Sequence, residues 1–147
     1  MTTLFDDAAR AEILGRIINV TADSKARWGK FNAERMLVHI CESMKMPVGE
    51  LTPKPRKLPL RYFPIKQLVI YILPFPKGAP TAPELLPGDV RTIDHNKSEL
   101  VRLLEKFAAR RDSDVWPDHP AFGKMNRNLW GTLAYRHLDH HLRQFGA

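Results

Sequence analysis

Histidine is the residue type in this chain whose number and spacing could support metal chemistry. Three of the six histidines, His137, His140 and His141, fall within five residues near the C-terminus. On a helix, His137 and His141 lie one turn apart on the same face. Two imidazoles at that spacing can bind one divalent cation, as they do in helical zinc sites. The spacing therefore predicts part of a metal site. The remaining histidines are His39, His95 and His119.

The choice of ligand pair within this cluster depends on which helix face points inward. His137 and His141 continue an apolar line of the predicted helix, whereas His140 lies toward a more polar edge. We therefore prefer the His137/His141 pair and keep His140 as the alternate. A surface cluster or an ordinary core histidine is the competing interpretation of such a pair. Leu138 stands where a zinc metalloprotease carries its glutamate, so the motif is not that of a protease.

A third ligand must come from another part of the chain, and His39 is the best candidate. It lies in the middle of the second predicted helix, among apolar residues. Alone, such a histidine is more often a core residue hydrogen-bonded to the backbone. Facing helices of a bundle can nevertheless bring one histidine to a His-x-x-x-His pair and leave coordination positions open. We therefore predict that His39, His137 and His141 bind a divalent metal.

Other polar residues near these histidines have open roles. Glu42 follows His39 by three positions and is either a base or fourth ligand, or a solvated helix residue. His119 either borders the substrate entrance or caps the last helix. Asp139 and Gln144 could orient the ligand imidazoles, although a salt bridge with Arg136 or Arg143 is the favoured interpretation for Asp139. No catalytic residue is assigned.

Four amphipathic helices are predicted to position these residues. Their apolar residues recur at helical spacing, and Asp, Asn or Pro residues mark several of their ends. Helices of this kind around one core predict an all-α bundle. The predicted helices cover residues 6–20, 32–46, 92–111 and 126–145.

A proline-rich crossover of residues 47–91 joins the second and third predicted helices. It holds ten of the twelve prolines in the chain. A structureless loop of this length is uncommon inside a domain. We predict a short helix over residues 63–73, with Leu68, Val69 and Ile72 facing inward, and treat the crossover as a semi-rigid cover on the bundle.

The composition is that of a globular protein, with 44% hydrophobic and 27% charged residues. The longest mainly apolar run, residues 67–75, is far short of the roughly 20 residues that span a bilayer. The N-terminal residues lack the pattern of a secretory signal. The single cysteine, Cys41, excludes an internal disulfide and fits a reducing compartment. We expect one cytoplasmic domain over residues 1–147, with no membrane partner.

The net charge of +7 raises the question of nucleic-acid binding. Lysine and arginine are scattered along the chain, apart from one local cluster in the crossover. Prolines and aliphatic residues interrupt that cluster, and no pattern of stacking aromatics accompanies it. A solvated basic surface is the favoured interpretation, followed by weak attraction for an anionic substrate or partner, and no nucleic-acid partner is expected. The cluster comprises Lys54, Arg56, Lys57, Arg61 and Lys66.

The joint occurrence of these motifs resembles the DinB/YfiT-like superfamily of four-helix metalloproteins. In that superfamily a histidine on the second helix joins a His-x-x-x-His on the last helix. The matching stretches here are residues 28–39 and 135–146, and the run at 119–123 followed by Trp130-Gly131 is similar to one uncharacterised branch. The similarity spans most of the chain, including the helix order and the long crossover.

The resemblance implies a four-helix bundle of DinB/YfiT-like type with the long crossover between its second and third helices. Related members include thiol-dependent S-transferases and hydrolase-like enzymes. The expected function is therefore a metal-dependent transferase or hydrolase acting on a small molecule, with a low-molecular-weight thiol as one candidate partner. Zinc or nickel is expected ahead of iron or manganese, and a homodimer is expected from the resemblance. A non-catalytic metal- or ligand-binding module on the same bundle is the alternative, because no general base is evident.

Overall fold

The computed structural model describes residues 1–79, 81, 83–86, 88 and 91–147. Within these ranges the chain is mainly helical and contains no β-strand, which confirms the prediction of an all-α fold. A single-turn helix in the crossover continues directly as a π-helical turn over Leu68–Ile72. The helices are α1 (Asp7–Asn19), α2 (Ala33–Lys45), α3 (Ile65–Gln67), α4 (Ile93–Ala109) and α5 (Arg127–Gln144).

Side-chain caps fix the N-terminal ends of the three helices α2, α4 and α5. The side-chain oxygen of Asn32 accepts from the backbone N–H of Arg35 at 2.8 Å, and that of Asn126 accepts from Leu129 at 2.9 Å. Thr92 caps α4 in the same way. Each cap satisfies a backbone donor that the first helical turn leaves free. The helix starts predicted at residues 32, 92 and 126 are therefore confirmed to within one residue.

The four long helices share one hydrophobic core. Helix α2 packs most extensively against α4, while α5 contacts both α1 and α2. Leu138 and Leu142 in α5 are fully buried and lie beside the histidines of the same helix. Because α2 and α5 face each other, His39 is brought to the His-x-x-x-His pair. The largest fully buried side chains include Ile13, Met36, Leu37, Leu100, Leu103 and Phe107.

The crossover is fixed to the helices by buried contacts. Ile70 is fully buried, and the Lys66 ammonium donates to the carbonyl of Lys124 at 2.7 Å. The Arg136 guanidinium in α5 donates to the carbonyl of Val69 at 3.1 Å and to that of Leu73. These bonds satisfy carbonyls at the end of the π-helical turn.

The predicted inward orientation of the crossover helix is confirmed for Val69, which is partly buried and packs against the core, but it is wrong for Leu68 and Ile72. The side chains of Leu68 and Ile72 are 41% and 68% exposed, and Ile70 is the fully buried residue. The π-helical turn widens the helix at Leu68–Ile72 and rotates the following side chains relative to an α-helical pattern. The prediction assumed α-helical spacing through this segment.

No helix among the described residues is both long enough and apolar enough to cross a membrane. A single domain over residues 1–147 and a four-helix bundle as the bundle type stay predictions.

Candidate metal centre

Three histidines from α2 and α5 converge on one point. The Nε2 atom of His137 lies 3.1 Å from Nε2 of His39 and 3.2 Å from Nε2 of His141. The three ligand atoms all lie within 4.8 Å of one another. Imidazole nitrogens bind a metal at about 2.0–2.1 Å. Two such nitrogens are then about 2.9 Å from each other when the angle at the metal is about 90°, and about 3.3 Å when it is tetrahedral. Two of the three separations fall in that range, so these residues could hold a metal ion.

The hydrogen bond on the far side of the His39 ring sets its protonation. Nδ1 of His39 lies 3.0 Å from the backbone carbonyl of Leu85. A carbonyl oxygen only accepts, so Nδ1 carries the proton and Nε2 of the neutral ring carries a lone pair. That lone pair points to the shared centre. The Leu85 carbonyl therefore holds His39 in the tautomer that a metal ligand needs.

A chain of two hydrogen bonds does the same for His141. Its Nδ1 donates to Oε1 of Gln144 at 2.8 Å, and Nε2 of Gln144 donates to the carbonyl of Trp28 at 2.7 Å. The Trp28 carbonyl fixes which end of the Gln144 amide is the oxygen. Nε2 of His141 is therefore unprotonated, and its lone pair is also directed at the centre. Gln144 was one of the residues predicted to orient a ligand imidazole, and its contact with His141 confirms that placement.

Proton counting around His137 supports a cation site. Nε2 of His137 faces two lone pairs, from His39 and His141, and one N–H can satisfy only one of them well. A cation placed among the three nitrogens satisfies all of them at once. The donor set and the separations therefore fit a divalent metal.

Burial keeps these three imidazoles neutral. Burial is the largest cause of a lowered pKa at all three residues. The pKa of His39 is lowered, that of His137 is well below its ordinary value, and that of His141 is about 3. The neighbouring histidines act in the same direction on His137, because two imidazolium charges would repel each other. Neutral imidazole is the form that coordinates a metal.

The three histidines lie on the wall of a cavity of about 720 Å³. No aspartate or glutamate occurs among the described residues that line it. Its apolar wall includes Phe31, whose ring centroid is 5.3 Å from that of His39, and Phe75, which lies 6.4 Å from that of His137. Its polar lining includes Trp28, Lys30, Arg56, Thr81, His119, His140 and Gln144.

The other sequence candidates occupy different places. His140 lines the cavity and stacks edge-on to Trp28 at 5.7 Å, but it is not one of the three converging histidines. Glu42 pairs with Lys45 at 2.7 Å instead of reaching the histidines. Asp139 pairs with Arg143, which confirms the salt-bridge interpretation, and also with Arg16, which was not predicted.

His119 borders the cavity from a tight turn before α5. Reciprocal backbone hydrogen bonds of 2.8 Å join His119 and Gly123 and close the turn. Nδ1 of His119 accepts from the backbone N–H groups of Ala121 at 3.0 Å and Phe122 at 3.2 Å. The ring therefore lies at the cavity wall and does not cap the last helix, where Asn126 has that role.

Several contributors to the site carried no recognised signal in the sequence. The carbonyls of Leu85 and Trp28 are backbone groups, which side-chain type does not reveal. Gly29 has a positive φ of 80°, and a Cβ there would lie 2.6 Å from Nε2 of Gln144. A glycine at this position in the sequence is compatible with a backbone that packs closely against a side chain. Arg56 was assigned to a solvated basic surface, yet it lines the cavity.

Comparison with known families places the chain in an uncharacterised one. The family described as "Protein of unknown function (DUF1569)" matches residues 7–147, so the chain belongs to that family. No curated protein and no solved structure matches the chain.

This assignment corrects the expected membership of the DinB/YfiT-like superfamily, which is wrong: the matching family is DUF1569. The expectation rested on short histidine-bearing stretches and on helix order. Any helical fold that faces one histidine with a His-x-x-x-His pair can share those features. The homodimer was expected from the same resemblance and stays a prediction with no other support.

Proposed function

We propose that this protein is an enzyme that uses a divalent metal, held by His39, His137 and His141, to transform a small molecule by group transfer or hydrolysis. One observation carries the proposal: three Nε2 atoms converge, with two separations of 3.1 and 3.2 Å, on the wall of a cavity of about 720 Å³. A cavity of that size accommodates a small organic molecule.

The ligand set suits Lewis-acid chemistry. Three neutral imidazoles leave a bound divalent cation with its full charge, so it can polarise a substrate oxygen or stabilise a thiolate. Zinc or nickel is the favoured metal, with iron or manganese as the next choices, because imidazole suits all of them.

The chain's own residues supply orientation and partial exclusion of water. Leu85 and Gln144 hold two of the imidazoles in fixed tautomers. Phe31 and Phe75 line the cavity beside the histidines, which lowers the local polarity around the site. Because the three histidines line the cavity, a metal that they held would be accessible to a substrate bound there.

A non-catalytic module that binds a metal or small ligand is the second candidate function. The observation that favours it is the lack of any carboxylate among the described residues that line the cavity. Aspartate and glutamate are common general bases, and the described part of the chain places neither beside the three histidines.

Metal content tests the ligand assignment. Purified protein loaded with zinc or nickel and then desalted should retain about one ion per chain. Each of the substitutions His39→Ala, His137→Ala and His141→Ala should abolish retention. His95→Ala is the matched control, because His95 is an exposed histidine of α4 outside this cluster. Full retention in all three site variants would refute the site.

Turnover separates the two candidate functions. The metal-loaded protein should be assayed with low-molecular-weight thiols against an electrophile panel, and with ester and amide substrates. Metal-dependent product formation that is lost in His137→Ala would support the enzyme. Saturable binding of panel compounds without any product would support the module.

A further inference from the structure

We infer that the cavity takes a small organic anion, a carboxylate with an apolar body, whose charged group lies beside Arg56 and His119. The inference deepens the proposed function and rests on it for the reaction, although binding of the anion by these residues does not require the metal. Three features of the described cavity lining carry it: cationic and N–H donors without partners among the described residues, a lack of carboxylates among the described lining residues, and an apolar wall.

Arg56 is the clearest of these features. It is partly buried, and its guanidinium has no ion pair or hydrogen bond among the described residues. Its backbone N–H donates to the carbonyl of Pro120 at 2.8 Å, which places it beside the turn that carries His119. Arg61, in the same crossover, differs because its guanidinium donates to the carbonyls of Arg56 and Pro120. An unpaired guanidinium at a cavity wall is suited to bind a carboxylate through two parallel hydrogen bonds.

His119 adds a neutral donor to the lining of the same cavity. Its Nδ1 accepts from two backbone N–H groups, so the ring carries its proton on Nε2. That N–H has no partner among the described residues, and the ring lines the cavity. Because the two backbone hydrogen bonds fix this tautomer and the ring position, the Nε2–H group has a fixed direction in which it can donate to an anionic oxygen.

Trp28 also lines the cavity. Its indole Nε1 is buried and has no hydrogen-bond partner among the described residues. A buried donor without a partner costs free energy unless a ligand or solvent oxygen satisfies it. Lys30 also lines the cavity, and no carboxylate among the described lining residues offsets these donors. The wall is therefore complementary to a ligand rich in acceptors and negatively charged.

The rest of the lining suits a hydrocarbon body. Aromatic and aliphatic side chains contribute most of it, and few polar groups fix orientation, as is usual for small-molecule sites. A carboxylate held at Arg56 would leave the body to extend along this wall toward the three histidines. The apolar lining includes Phe31, Leu58, Leu60, Phe75, Leu85 and Leu86.

The test compares two probes of the same shape that differ in charge. Hydrocinnamate and its neutral amide are titrated by calorimetry into the metal-free protein and into the zinc-loaded protein. We expect hydrocinnamate to bind at least about 10-fold more tightly than the amide in the metal-free protein, which is the size of effect of a charge-assisted hydrogen bond. Arg56→Gln should reduce that preference to less than about 2-fold and leave amide binding unchanged.

Two variants control for general effects of charge and of folding. Lys57→Gln removes an exposed positive charge next in sequence that does not line the cavity, and it should keep the preference. Arg56→Lys keeps the charge without the planar fork and should retain part of the preference. Equal binding of the two probes, or a preference that Arg56→Gln does not change, would overturn the inference. A preference present only with zinc and independent of Arg56 would also overturn it, because the metal would then bind the anion.

Metal content is measured in the same samples to separate the two proposals. Protein that retains no metal but prefers hydrocinnamate through Arg56 would sink the proposed function and support the anion site. Protein that retains metal but binds hydrocinnamate and its amide equally would support the metal site and overturn the anion site.

Discussion

Substitution of Gln144 by methionine tests whether the hydrogen bonds behind the histidines matter for metal binding. Gln144 accepts from Nδ1 of His141 at 2.8 Å and donates to the carbonyl of Trp28 at 2.7 Å, and it is buried. Methionine has a similar volume but makes neither bond. His141 then loses the contact that fixes its tautomer and ring orientation. Loss of such a supporting bond typically weakens metal affinity about 10- to 100-fold, or about 1.4–2.7 kcal/mol.

The assay is a zinc titration at neutral pH in competition with a chelator of known affinity. Arg143→Met is the matched control, because Arg143 is the adjacent residue of α5, its side chain is 70% exposed, and it pairs with Asp139 away from the histidines. We expect wild-type affinity in Arg143→Met and the stated loss in Gln144→Met. If Gln144→Met bound zinc within about twofold of wild type and unfolded at the same temperature, the hydrogen bond from His141 would not support metal binding.

Three further predictions concern neighbouring contacts. Gly29→Ala places a Cβ 2.6 Å from Nε2 of Gln144 at a φ of 80°, so the same competition titration should show weaker zinc binding; unchanged affinity would contradict the close packing of this turn. Burial lowers the pKa of His119 to about 3, so its neutral ring stabilises the fold above the unfolded value of about 6.5, and that contribution is lost as the pH falls toward 3. Between pH 7 and pH 5, urea unfolding of metal-free protein should therefore show the wild type losing about 2 kcal/mol more stability than His119→Gln, and equal losses would contradict burial of the neutral ring. Gly131→Ala places a Cβ 2.8 Å from the Phe5 ring, so we expect a loss of about 1–3 kcal/mol in thermal denaturation; wild-type stability would show that the N-terminal segment does not pack on α5.

Much of the helical framework could be predicted from the sequence because its signals are local. Caps at Asn32 and Asn126 and apolar residues at helical spacing depend only on nearby residues. The grouping of His39 with His137 and His141 was also predictable. The four-residue spacing puts the rings of His137 and His141 on one face of a helix, and His39 lies among apolar residues of another helix. Their close approach in the structure confirms that grouping, while metal binding by it stays a prediction.

The remaining features depend on contacts between distant parts of the chain. The π-helical turn at Leu68–Ile72 changed which crossover residues face inward, and neither propensity nor period indicates such a turn. Arg56 reaches the cavity because the crossover folds back against Pro120, far along the sequence. The carbonyl of Leu85 that orients His39 belongs to the backbone and has no sequence signature.

Anomalous diffraction at the zinc edge, from crystals of the zinc-loaded protein, would locate the metal relative to the three histidines. We predict a single strong peak about 2.0–2.1 Å from the Nε2 atoms of His39, His137 and His141, with open coordination toward the cavity. A peak coordinated by His140 in place of one of these residues, or no peak among the three rings, would contradict this prediction.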